Sequence, residues 1–202
     1  MVWVGERLAE STNVKGCRLL IVGCGNPAAG DDSAGLEIVR RLGELGGCGC
    51  ELRAETAPGI ELLDLFCLAD VILFVDAVTT GGPPGTLFLT ALPSPELEPK
   101  SLGSLSSHGW GLAEALKLAE ALGRTIPRLF LLGIEAGTVA QGAPRSPAIE
   151  QAVSRVVERI PQLKSLLLSG DLSEGVKKLE CVMQRAKRSI LSPSLESGGG
   201  ID

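Results

Sequence analysis

The sequence predicts a three-layer α/β domain, a mostly parallel twisted sheet with helices on both faces. Three observations predict it: short apolar runs at Arg18–Gly23, Val71–Val75 and Leu129–Ile134, amphipathic stretches between them, and glycine-containing loops where the first two runs end. A run that is apolar on both alternating faces belongs to a strand covered on both sides, which is the signature of a parallel sheet. Strands alternating with helices over roughly 145 residues imply right-handed crossovers. Ligands of such sheets collect at the carboxyl ends of the strands.

Each element follows from its spacing. Arg18 to Gly23 reads as a buried strand entering a loop. From Ser33 to Leu45, Leu36, Val39, Leu42 and Leu45 recur three apart, with Glu37, Arg40, Arg41 and Glu44 elsewhere, as an amphipathic helix requires. Cys50 to Ala54 alternates as a strand does, and Ile60, Leu62, Leu63, Leu65 and Phe66 make a second helical face. Val71–Val75 predicts a central parallel strand, Pro83-Pro84-Gly85 a turn, and Thr86–Thr90 a short strand. Trp110–Leu122 predicts a helix and Leu129–Ile134 a further buried strand. The stripe Ile149, Val153, Val156, Val157, Ile160 closes the domain with a helix ending near Pro161. The expected organisation is an N-terminal extension over residues 1–16, a domain over 17–163, and an extension over 164–202 that is partly helical and then, in its Ser/Gly-rich end, disordered.

Composition narrows the function. A chain of 202 residues with 45% hydrophobic content suits one domain. A net charge of −5 with lysine and arginine dispersed argues against a nucleic-acid partner, which would select clustered positive charge. No apolar stretch approaches the ~18 residues of a membrane span. Six cysteines in a chain of this size, without a secretory leader pattern or zinc-ribbon spacing, fit free thiols in a reducing cytoplasm. Cys48-Gly49-Cys50 reads as a pair of loop thiols, and Cys17, Cys24 and Cys67 read as small core residues.

Three loop positions carry chemistry. The loop Gly23–Gly35 joins the first strand to the first helix and holds Asp31-Asp32. It lacks the third glycine of a dinucleotide fingerprint, where Ala28 stands, and it has no G-K-[ST] phosphate motif. Its two acids either cap the helix or form a site. Asp76 stands immediately after the central apolar run, as a turn residue or as a site acid. His108, the only histidine, precedes the Trp110 helix, as a surface or capping residue or as a ligand. Two carboxylates and one imidazole converging on a single sheet edge make a nitrogen and oxygen set suited to a divalent transition metal.

In order and spacing, Gly25-Asn26 with Gly30-Asp31-Asp32 and Gly35, Val75-Asp76-Ala77 with Pro84-Gly85-Thr86, Ser107-His108 with Gly111-Leu112, and Leu132-Gly133-Ile134-Glu135 resemble the hydrogenase maturation endopeptidases over residues 18 to about 160. The resemblance implies a phosphorylase/hydrolase-like fold and removal of the C-terminal extension from a nickel–iron hydrogenase large-subunit precursor. It implies that Asp32, Asp76 and His108 are the catalytic and metal-ligating residues, sharing nickel, or another divalent metal in its place, with that precursor. Some members carry glutamate where Asp32 stands. The family's second loop is similar, more loosely, to Glu55–Gly59. Two rival readings remain: a non-catalytic, nickel-dependent checkpoint that binds the precursor, and a nucleotide-processing enzyme using the Gly23–Gly35 loop.

Overall fold

In the computed structural model, residues 18–56, 59–92 and 109–169 are described. A five-stranded sheet forms from β1 (Leu19–Cys24), β2 (Glu51–Glu55), β3 (Val71–Val78), β4 (Leu87–Leu92) and β5 (Arg128–Glu135), in the order β2-β1-β3-β5-β4. All pairs are parallel except β4 with β5, so the sheet is mostly parallel with one antiparallel edge strand. The sequence could not assign that direction, because a run as short as Thr86–Thr90 pairs either way.

Helices fill both outer layers. One face of the sheet, with Leu19, Ile21, Leu73 and Val75, packs on α1 (Ala34–Glu44) and α4 (Pro147–Ser169) through Ile38, Leu42, Val153 and Ile160. The other face, with Leu20, Val22, Ile72 and Phe74, packs on α2 (Leu62–Leu65) and α3 (Gly109–Ala121) through Leu62, Leu65, Ala115 and Ala119. Strand residues divide between the two clusters by odd and even position, as the two-residue period demands. The connection from β1 runs to one side of the sheet over one face, and the chain from β3 proceeds to the other side over the opposite face. The carboxyl ends of β1 and β3 therefore flank the point where the strand order reverses, the ligand-binding crevice of open α/β sheets.

Several expectations are corrected. The buried stripe of α1 is Ala34, Ile38, Val39 and Leu42, whereas Leu45 is 73% exposed just beyond the helix end. The second helix is a single turn. Cys67, past its end, is exposed and not part of the core. The last helix does not stop near Pro161 but continues to Ser169. An internal proline costs about 3 kcal/mol. Leu163 and Leu167 lie beyond it with 2% and 1% of their surface exposed, and burying a leucine is worth about 1.5–3 kcal/mol each. The two leucines offset the cost of the proline. None of the described helices is long and apolar enough to cross a membrane. The N-terminal extension and the segment from residue 170 onward lie outside the described residues.

Candidate functional site

The loop leaving β1 is shaped by close backbone approaches. Gly25 has φ +149°, and a Cβ there would stand 2.0 Å from the carbonyl oxygen of Asp32. At Gly35, near the start of α1, a Cβ would stand 2.2 Å from the carbonyl oxygen of Val75 and 2.4 Å from that of Cys24. Only glycine lets the helix begin directly against the ends of β1 and β3. The short 3-10 turn Gly30–Ser33 is thereby held over the crevice, and it carries both aspartates.

Those two neighbours have different surroundings. Asp32 is half-buried, and its Oδ2 accepts a hydrogen bond from the Asn26 amide at 3.2 Å. Asp31 is fully buried and points the other way, toward the loop after β5. Its Oδ1 accepts from the Ser146 amide at 2.6 Å, and its Oδ2 accepts from the amides of Gly137 at 2.8 Å and Thr138 at 2.9 Å and from the Ser146 hydroxyl at 3.1 Å. Burial works against its charge, but these bonds outweigh burial and lower its pKa. The residues that precede the 3-10 turn and α1, Ala29 and Ser33, make no side-chain cap, and both aspartates stand in the first turn of the 3-10 helix.

Asp76 lies inside β3, not after it, because β3 runs on to Val78 beside β5. It is 4% exposed. Gly23 pairs with Val75, which brings Cys24 and Asp76 level at the next position along their strands, and Cys24 pairs with Glu55 at the end of β2. By alternation Glu55, Cys24 and Asp76 share the face covered by α2 and α3. On the far side Asp76 pairs with Gly133, and the Phe88 ring fills the space where a Gly133 Cβ would stand, 2.2 Å from its nearest carbon.

Electrostatics reports the convergence. The Cys24 thiol is pushed well above its ordinary pKa, first by burial and then by the charges of Asp76, Glu55 and Asp32. Acids from three separate segments thus act on one buried sulfur. Burial and these charges all act against the thiolate form. Glu55 is itself raised by burial and by Glu61, against the opposing charge of Arg53.

Sequence reasoning treated Cys24 as core, which it is, and treated Glu55 only as part of a loose loop match. Its place at the carboxyl end of β2 was the available signal. Glu135, 2% exposed, was quoted only within a motif. Its carboxylate accepts from the amides of Thr80 and Gly81 at 2.8 Å and of Gly82 at 3.1 Å, and from the Thr80 hydroxyl. His108 lies outside the described residues. Among the described residues no three His, Cys, Asp or Glu side chains are grouped as a metal cage. The donors that Asp32 and Asp76 bring to the crevice are hard carboxylate oxygens, the kind that divalent cations accept.

Comparison with known proteins gives consistent relatives. The family model for hydrogenase maturation protease, HycI, matches residues 57–163. The chain is similar to the hydrogenase expression/formation protein HupD of Thiocapsa roseopersicina, with 30% identity over 145 residues, 69% of this chain. That match spans 64% of the relative's own length. It is also similar to the hydrogenase 2 maturation protease of Escherichia coli strain K12, with 25% identity over 71% of this chain and 88% of that one. Among solved structures, the hydrogenase maturating endopeptidase HybD from Escherichia coli superposes with a TM-score of 0.62 and 26% identity, over 76% of this chain and 94% of that one. The [NiFe] hydrogenase maturation protease HycI from Thermococcus kodakarensis superposes with a TM-score of 0.57 and 27% identity, over 73% and 92% of the two chains.

Proposed function

The chain belongs to the hydrogenase maturation protease family, and from that premise we propose that it is an endopeptidase acting in the cytoplasm on a nickel–iron hydrogenase large-subunit precursor. It removes the precursor's C-terminal extension once nickel has been inserted. The observation that supports this best is the arrival of Asp32 and Asp76, from the ends of β1 and β3, around one buried thiol at the strand-order reversal. With His108 they form the set that meets the precursor's nickel, so that an unloaded precursor presents nothing for them to grip.

In this reading the nickel belongs to the substrate, and its chemistry is to license cleavage by bringing the scissile segment to the crevice. The chain's own residues do the rest. Asp76, nearly enclosed in β3, supplies a carboxylate fixed by the strand backbone, while Asp32 is half-buried. A fixed carboxylate beside a water is a proton acceptor, and preorganisation of this kind lowers the barrier without reorganisation at the moment of reaction.

The test is to incubate the chain with nickel-loaded precursor and to follow release of the C-terminal peptide by mass spectrometry. Release from loaded but not from nickel-free precursor is expected, and His108→Ala is expected to abolish it while the variant stays folded. Binding of the loaded precursor without release would overturn the protease reading in favour of the checkpoint.

A further inference from the structure

The segment that follows β5 reaches both loops of the crevice. On one side, Asp31 binds Gly137, Thr138 and Ser146 through its carboxylate, its own amide donates to the Thr138 carbonyl at 2.9 Å, and the Gly142 amide donates to the Ala28 carbonyl at 2.6 Å. On the other side, Glu135 binds the amides of Thr80, Gly81 and Gly82, its backbone pairs with Gly85 and Thr86, and the Ala136 amide donates to the Val78 carbonyl at 2.8 Å. Gly137 stands between the two. A Cβ there would lie 3.1 Å from Cγ of Pro84 and 3.2 Å from Oδ2 of Asp31.

We infer that Asp31 and Glu135 are positioning residues, which together lock the Asp32 turn and the loop after Asp76 to one shared anchor, residues 135–146, and so set the separation of the two site acids. This rests on the protease reading for its consequence, not for its geometry. The chemistry of the clamp is specific. A carboxylate accepts through both oxygens, and Asp31 uses both. An amide in its place keeps one acceptor and turns the other into a donor facing backbone N–H groups, so at least one bond is lost and a repulsive contact replaces it. Neither acid needs to touch substrate to matter, since misplacing a site group by about 1 Å costs on the order of 100-fold in rate.

The experiment combines kinetics with amide exchange on full-length protein. Asp31→Asn and Glu135→Gln are each expected to lower kcat for peptide release on the order of 100-fold, with KM changed by less than about twofold. Exchange at Gly137, Thr138 and Ser146 is expected to quicken by about tenfold or more in the Asp31 variant. Because Asp31 acts through Asp32, adding Asp31→Asn to an Asp32→Asn background is expected to cost little further, whereas a merely structural loss would add in full. Unchanged kcat in Asp31→Asn, or additive losses in the double variant, would overturn the proposal. A wild-type chain that releases no peptide refutes the protease reading alone. The exchange arm then decides the clamp, and unchanged exchange at the three amides refutes it.

Discussion

Buried carboxylates occur in two regions of this molecule, and they are balanced in different ways. On the outer side of α1, Glu37 is 8% exposed and sits among guanidinium groups: Arg40 at 2.8 Å, Arg41 at 2.6 Å and Arg145 at 3.6 Å, with Glu150 bridging Arg41 and Arg145 from α4. Its pKa falls to about 2, with the hydrogen bond from Arg40 as the largest cause. At the crevice between β1 and β3, the charges of Asp76, Glu55 and Asp32 instead add to one another at Cys24. A carboxylate matched by arginines is a fastener between α1 and α4. Carboxylates gathered from three segments around one buried thiol make the arrangement expected of a site.

The largest effect should come from the crevice. Asp76→Asn removes one charge with almost no change in volume, and it is expected to reduce peptide release by at least about 100-fold, the scale of losing one preorganised group. Its melting midpoint should stay within a few degrees of wild type. A variant that processes normally, or one that fails to fold, would erase the distinction between the regions.

Glu37→Gln should show the opposite pattern. A drop from 4.5 to about 2 corresponds to up to ~3 kcal/mol. Arg40 is half exposed, so screening reduces this to about 2 kcal/mol. The melting midpoint is then expected to fall by ~4–8 °C, with kcat per folded molecule unchanged. The linkage has a definite sign. Because the folded pKa is depressed, the stabilisation is complete above the unfolded value of 4.5 and is lost as pH falls toward about 2. Denaturant midpoints measured across that window should drop less steeply in Glu37→Gln than in wild type. Glu55 has a raised pKa, so its contribution runs the other way, present below the ordinary glutamate value and lost as pH rises through the raised one. An equal slope in the two proteins would show that Glu37 is not the fastener.

The smallest effect is expected from the C-terminal end. Ser192–Asp202 offers little apolar surface to offset its ordering entropy, so a chain ending at Leu191 should keep both its melting midpoint and its processing rate. A fall of more than a few degrees would show that this end packs on the domain.

Much of the frame was legible in the sequence because its causes are local. The short apolar runs around Leu19–Gly23, Val71–Val75 and Leu129–Ile134 form strands where both faces are covered, and the residues of α1, α3 and α4 repeat at helical spacing. Local rules also marked the loop of Asp31 and Asp32 and singled out Asp76, although they ended its strand at Val75 and not at Val78. What the sequence could not decide depends on partners distant along the chain. Asp31 and Asp32 are chemically identical neighbours, yet a 3-10 turn gives one to a loop more than a hundred residues away and leaves the other bonded within its own loop, to the Asn26 amide. Glu37 reads as a solvent-facing helix acid until Arg145, from the segment before α4, and Glu150, from α4, arrive. The passage of α4 through Pro161 likewise depends on a sheet face that receives Leu163 and Leu167. Periodicity determines which elements form, because it is a property of neighbours. Which acid becomes a fastener and which a site residue is decided by packing alone, since a carboxylate's role is set by the donors and charges that the fold brings to it.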